Sequence, residues 1–150
     1  MLCVNLAKNV WICGMSAECR VLIRGLLFEE SNSALILKMV SRNELMGVIN
    51  RKVAFEVLHV LKNLKNKDFA SLSFSFIHST FEIVPEEQYA EEMGRLAGTI
   101  KEKDLEHLAT ARASGIDIIA YDRDFEGLKE YFTPKEFLIS MKLRTYDTVY

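Results

Sequence analysis

The sequence predicts an α/β fold, a three-layer α/β/α sandwich with a mostly parallel central sheet. Short apolar segments that are typical of strands alternate along the chain with longer segments whose apolar residues recur at helical spacing. The segment at 10–15 is β-branched and aromatic without alternation, as expected of a central strand that helices cover on both faces. Strands that alternate with helices in this way build a parallel, doubly wound sheet.

Three helices and two strands are predicted in the first half of the chain. They are a strand at 10–15, helices at 20–28 and 32–40, a strand at 45–49 and a helix at 51–64. The helix at 51–64 has the clearest pattern, because its valines and leucines form one apolar stripe. Such a stripe marks the side of a helix that packs on the core.

The segment at 68–80 fits two patterns. Leu72, Phe74 and Phe76 alternate with serines, which favours a strand. A helical face is also consistent with the spacing of four apolar residues: Phe69, Leu72, Phe76 and Phe81. Both alternatives stay open from the sequence alone.

The second half continues the alternation of strands and helices. Pro85 suits the first turn of a helix, and Gly115 suits a left-handed helix cap. The predicted elements are a strand at 81–84, helices at 86–97 and 102–114, a strand at 117–121, a helix around 125–131, a turn at Thr133-Pro134 and a final helix at 135–140.

Length and composition predict one soluble domain that spans residues 1–150. The chain is 49% hydrophobic and 27% charged, and repeats or linkers are not apparent. A net charge of −2 provides no broad positive field, which excludes a histone-like binder of nucleic acid.

The cysteines (Cys3, Cys13 and Cys19) form no C-x-x-C pair, which favours reduced thiols in the cytoplasm over disulfides or zinc. Apolar runs fall short of the roughly 18 residues of a membrane helix, so no membrane association is expected.

Acidic residues lie at the start of one predicted element of the second half and at the end of the next. Asp104 lies in the first turn of its helix on the same face as Leu108 and Ala111, so its carboxylate is expected to point inward. Asp122 ends the following strand, and Asp124 comes in the next turn. Ligands bind at the carboxyl ends of parallel strands, which makes a shared ion possible there. Helix-dipole and turn preferences explain each of these aspartates separately as well.

Glu56 adds a further carboxylate, at the edge of the apolar stripe of its helix. A partly buried carboxylate needs a positive partner, because packed carboxylates cannot all stay ionised without one. A cation shared with Asp104 and Asp122 would supply that partner. Hard oxygen ligands favour Mg²⁺ or Mn²⁺ over zinc.

Together these segments resemble the PIN domain family over roughly residues 10 to 140. The similar segments are Asp104-LEHLATA, Ile116-DIIAYDRDF and Thr133-PKEFL, and upstream Gly47-VINRKVAFEVLHVL, which carries Glu56. The resemblance implies a PIN-like fold and a metal-dependent ribonuclease.

The first acidic motif diverges from the family pattern D-T-N-V-L-I-S. One alignment places Glu18 in the position of the aspartate and Arg20 in that of the asparagine, which leaves a suitable length for two helices and a strand before Glu56. A rival alignment uses Ala7-KNVWICGM, which keeps Asn9 but loses the acid. We favour the first. Ala120 is a second departure, since the family usually has Thr or Ser there.

The resemblance implies an Mg²⁺- or Mn²⁺-dependent endoribonuclease, with Glu18, Glu56, Asp104 and Asp122 as catalytic metal ligands and Asp124 as a further ligand. It also implies RNA as substrate, a role as the toxin of a toxin–antitoxin pair with a small antitoxin partner, and a homodimer. The divergent motif, with Arg20 as an internal cation, supports an alternative, an inactive PIN-like binding or scaffold module. In a third interpretation the fold is unrelated and the acids are turn and cap residues.

Overall fold

Five parallel strands form one sheet in the computed structural model, which describes residues 8–12 and 21–149. Their order is β3-β2-β1-β4-β5, with bounds β1 Lys8–Ile12, β2 Leu45–Asn50, β3 Glu82–Val84, β4 Asp117–Ile119 and β5 Tyr131–Phe132. Successive strands run outward from β1 in both directions, so the order reverses between β1 and β4. The predicted α/β class with a parallel sheet is confirmed.

Seven α-helices accompany the sheet within the described residues. They are α1 Val21–Leu27, α2 Asn32–Ser41, α3 Arg51–Leu64, α4 Lys67–Thr80, α5 Ala90–Leu96, α6 Glu102–Ser114 and α7 Pro134–Ser140. Helix α1 packs on α2, which also contacts α7, while α3 packs on α4 and α5 on α6. Helices of these lengths, in the part of the chain that is described, are too short or too polar to cross a membrane.

The core is built from the apolar faces of these helices and from the central strands. Ile118 and Ile119 of β4 are fully buried, as are Val57 and Leu61 in the stripe of α3. Gly47 of β2 allows close packing, because a Cβ there would lie 2.5 Å from the Phe81 ring. Close packing of these hydrophobic residues against the sheet fixes the positions of the helices relative to the strands.

Most predicted elements of the first half are confirmed. The helices at 20–28, 32–40 and 51–64 correspond to α1, α2 and α3, and the strand at 45–49 to β2. Strand β1 overlaps the prediction of 10–15 but begins two residues earlier, and residues 13–15 lie outside the described part of the chain.

The ambiguous segment at 68–80 is a helix, α4. The Asn66 side chain caps it by accepting a hydrogen bond from the Phe69 backbone N–H at 2.8 Å. The predicted apolar face was wrong in part, because Leu72 is 72% exposed. The buried residues of α4 are instead Ala70, Ser73 and Ile77.

Two predicted helices of the second half need correction. The helix at 86–97 is divided into a 3-10 helix, Glu86–Gln88, and α5, and Pro85 precedes the first of these in extended conformation. The helix around 125–131 was wrong: the chain forms a 3-10 helix, Arg123–Phe125, and then β5. Backbone pairing with β4 explains the difference. The Ile118 N–H donates a hydrogen bond to the Glu130 carbonyl, and the Ala120 N–H donates one to the Phe132 carbonyl.

The ends of α6 and α7 follow the sequence signals. Gly115 closes α6 with φ of 64°, the left-handed conformation that was predicted. Thr133 and Glu136 form a capping box, in which each side chain accepts a hydrogen bond from the backbone N–H of the other, and Pro134 takes the first helical position.

Candidate metal centre

Asp122 and Asp124 lie directly after the carboxyl end of β4. The Asp122 side chain caps the 3-10 helix, because its Oδ1 accepts a hydrogen bond from the Asp124 backbone N–H at 2.9 Å. Phe125, at the end of this 3-10 helix, is fully buried and anchors the turn in the core. The turn therefore holds both aspartates in fixed positions at this edge of the sheet.

Asp104 reaches the same edge from the first turn of α6. Leu108 and Ala111, one and two turns further along, are buried on the same face, as predicted. Asp104 is itself only 1% exposed. Its carboxylate is thus removed from bulk water although it belongs to a helix end.

The three aspartates form one cluster, which we call the carboxylate trio: Asp104, Asp122 and Asp124. One oxygen of each lies within 4.8 Å of the others. The Oδ2 atoms of Asp104 and Asp122 are shielded from solvent, and they accept no hydrogen bond from the described residues. The trio follows β4 beside the point where the strand order reverses, the usual ligand position in open α/β sheets.

Two lysines of α6 and its cap contact the trio. The Lys103 Nζ lies 3.1 Å from Asp124 Oδ2, 3.5 Å from Asp122 Oδ2 and 3.8 Å from Asp104 Oδ2. The Lys101 Nζ lies 2.6 Å from Asp124 Oδ1. Both lysine side chains are more than half exposed, whereas the aspartates that they contact are largely buried.

The electrostatics differ across the trio. Burial raises the pKa of Asp104 to about 6, and Asp122 and Asp124 add to this effect while Lys103 opposes it. Hydrogen bonds from Lys101 and Lys103 lower the pKa of Asp124, and the bond to Asp124 raises the pKa of Lys103. Asp104 therefore has less compensating positive charge than Asp124.

A second acid of α6, Glu106, has a different environment. Its Oε1 accepts a hydrogen bond from the Tyr89 hydroxyl at 2.6 Å, and its Oε2 lies 3.4 Å from the Lys52 Nζ. These residues line one side of a cavity of about 400 Å³ that also includes Phe55. The buried Asn50 amide donates a hydrogen bond to the Thr110 hydroxyl and ties the start of α3 to α6.

His107 of α6 is also buried. Burial lowers its pKa to about 4, with a further contribution from Lys52, so the ring is neutral at physiological pH. His107 does not belong to the trio.

Glu56, a further predicted ligand, is not part of the trio. Glu56 is half-buried on α3, with Oε2 shielded from solvent, and it is not one of the acids whose oxygens meet within 4.8 Å. Glu18 and Arg20 lie outside the described residues. Sequence reasoning missed Lys101 and Lys103, although Lys103 directly precedes Asp104.

The trio has the chemistry of a site for a hard cation. Three carboxylates converge on one point, and one of them is buried with an oxygen that accepts no hydrogen bond among the described groups. Oxygen donors of this kind suit Mg²⁺ or Mn²⁺. The residues present thus fit a divalent ion, which would replace part of the positive charge that the lysines now provide.

A family model described as PIN domain matches residues 20–131 of the chain. A chain in the solved structure "Toxin-antitoxin complex from Klebsiella pneumoniae" is 21% identical, with a TM-score of 0.58 over 85% of this chain and 97% of that one. A chain of VapBC2 from Rickettsia felis, solved bound to a DNA fragment from their promoter, is 16% identical, with a TM-score of 0.54 over 75% and 91%. At these identities the likeness concerns the fold. The comparison with curated proteins gave no match.

Proposed function

This chain belongs to the PIN domain family, and on that premise we propose that it is an endoribonuclease that depends on Mg²⁺ or Mn²⁺. The observation that carries the proposal is the carboxylate trio, in which the buried Asp104 has one positive partner among the described residues, the largely exposed ammonium group of Lys103 at 3.8 Å. A structural role would favour paired or solvated aspartates. A desolvated acid beside two others favours a bound cation.

Asp104 and Asp122 would hold the ion, with Asp124 as a third ligand. Glu56 would complete the site from α3, and Glu18 from the divergent first motif. A divalent ion supplies Lewis acidity that activates water and stabilises charge on the leaving oxygen of a phosphodiester. Burial fixes the position of Asp104, and the cap that Asp122 forms fixes its own carboxylate. The exposed ammonium groups of the lysines attract the phosphates of RNA.

The partner proposal is that the chain acts in the cytoplasm as a toxin that a small antitoxin keeps inactive. The titles of the two similar structures describe a toxin–antitoxin complex and VapBC2, which supports this choice. We also propose a single domain over residues 1–150 and a homodimer. Copurification with the product of an adjacent small reading frame, and light scattering of the isolated chain, test these two assemblies.

One observation favours the second candidate, an inactive PIN-like module. Lys101 and Lys103 already neutralise much of the trio, and Ala120 replaces the Thr or Ser that the family usually has. In such a module the lysines would hold the cluster permanently, and divalent ions would change neither cleavage nor melting temperature.

A cleavage assay separates the two candidates. We expect single-stranded RNA to be cut in Mn²⁺ and left intact in EDTA, and we expect Asp104→Asn to reduce cleavage by about 100-fold or more, since even partners of metal ligands contribute 10- to 100-fold. Asp68→Asn is the matched control, because Asp68 is an exposed aspartate in the first turn of another helix, α4. Equal activity of the two variants would contradict the proposal.

A further inference from the structure

The ammonium group of Lys103 is the one cation among the described residues that contacts all three members of the carboxylate trio. Its Nζ lies 3.1, 3.5 and 3.8 Å from oxygens of Asp124, Asp122 and Asp104. Lys101, by contrast, contacts Asp124 alone, through the other oxygen of that carboxylate. Lys103 thus lies at the point on which the three carboxylates converge.

The position of this lysine in α6 is unusual. Lys103 lies in the first turn, where the partial positive charge of the helix end disfavours cations. Nearby carboxylates offset that repulsion, so the trio explains why a lysine is stable there. Lys103 and the trio therefore form one electrostatic unit.

The two sides of this unit differ in mobility. Asp104 is 1% exposed and Asp122 is held by its cap, whereas the Lys103 side chain is 55% exposed on a flexible stem. A dication that enters the trio would meet fixed ligands and a cation that can move into water without losing buried contacts.

We propose that Lys103 is a built-in counter-cation that stabilises the trio in the metal-free protein and leaves it when a divalent ion binds. This inference rests on the proposed function, since it assumes that the trio binds metal. Lys103 then competes with the ion and sets the concentration at which the site fills. A fixed phosphate-binding lysine, which is the alternative, would remain in place and leave metal affinity unchanged.

Titration calorimetry with Mn²⁺ alone tests the inference without reference to activity. We expect Lys103→Met to bind Mn²⁺ about tenfold more tightly than the unmodified chain, because it removes a positive charge a few ångströms from the ion. Lys103→Arg, which keeps the charge, should stay within about threefold of the unmodified chain. Lys65→Met is the matched control, an exposed lysine at the far end of α3, and should have no effect.

Thermal melting of the same proteins provides a second measurement. Without metal, Lys103→Met should melt at a lower temperature than the unmodified chain, because the trio loses its counter-charge. Saturating Mn²⁺ should remove that difference. Because the Lys103 side chain is exposed, the substitution leaves the core intact and the variant is expected to fold.

The outcomes separate the two proposals. Mn²⁺ binding by the unmodified chain with no tighter binding by Lys103→Met would overturn the role of Lys103 and leave the metal site standing. Failure of both proteins to bind Mn²⁺ would overturn the metal site itself and with it the inference. Binding by Lys103→Met alone would support the inference, since the lysine would then keep the ion out.

Discussion

Asp104 and Glu106 lie two residues apart on α6, yet their carboxylates have contrasting surroundings. Glu106 accepts a hydrogen bond from the Tyr89 hydroxyl and pairs with Lys52, so both of its oxygens have partners. Asp104 is more deeply buried, neighbours two further acids, and contacts Lys103, whose side chain is more than half exposed. The same helix thus carries one acid whose oxygens both have partners, Glu106, and one acid whose charge is only partly compensated, Asp104. A buried acid whose charge is only partly compensated indicates a ligand site, because such an acid does not stabilise the fold by itself.

The largest expected effect concerns the free energy of unfolding of the metal-free protein. Burial raises the pKa of Asp104 to about 6, so at pH 8 its ionised form costs about 3 kcal/mol relative to an unfolded chain. We expect Asp104→Asn to recover part of that cost, about 1–3 kcal/mol, in urea melts at pH 8 with EDTA. A loss of stability would mean that the charge on Asp104 is already compensated, as it is for Glu106.

The pH dependence sharpens the comparison, because His107 responds in the opposite sense. Its folded pKa of about 4 lies below the unfolded value of 6.5, so its stabilising contribution is full above pH 6.5 and is lost as pH falls toward 4. For Asp104 the folded value is raised, so its contribution is full below pH 3.8 and is lost as pH rises through about 6. Between pH 3.8 and pH 6.5, a fall in pH therefore stabilises the fold through Asp104 and destabilises it through His107.

His107→Gln should therefore flatten the acid side of the stability profile. From pH 8 to pH 5 the unmodified chain should lose about 2 kcal/mol through His107 that the variant keeps, as measured by urea melts in EDTA. His59→Gln, which changes an exposed histidine of α3, serves as the control. Parallel profiles for His107→Gln and the unmodified chain would show that the ring is protonated equally in both states.

The smallest expected effect belongs to the satisfied acid. Glu106→Gln keeps the shape and an acceptor for Tyr89 but loses the charge that faces Lys52, so we expect a loss of about 0.5–1.5 kcal/mol. Mn²⁺ affinity should stay unchanged in calorimetry. A weaker affinity would place Glu106 within the metal centre and remove the contrast with Asp104.

The sequence predicted the features that depend on local periodicity. The spacing of Asp104, Leu108 and Ala111 on one helix face indicated an inward carboxylate, and the strand before Asp122 indicated the sheet edge that both aspartates share. The helix around 125–131 was wrong because a two-residue edge strand is specified by its partner β4 rather than by its own sequence.

The site was less predictable than the fold. Lys103 is a long exposed side chain whose contacts depend on where three distant carboxylates meet, and a charged residue on a helix surface usually indicates solvation alone. Sequence reasoning placed an internal cation at Arg20, which lies outside the described residues. The metal-ligand roles stay predictions for all five acids: Glu18, Glu56, Asp104, Asp122 and Asp124.

If the trio binds a divalent ion as proposed, the burial of Asp104 links the abundance of this protein to the supply of such ions. Without a bound cation, the buried charge of Asp104 destabilises the fold, so the chain unfolds more often, and cellular proteases degrade unfolded molecules. A bound ion would lower the fraction of unfolded molecules by mass action. Cells starved of divalent cations would then hold less of the protein, even at constant synthesis.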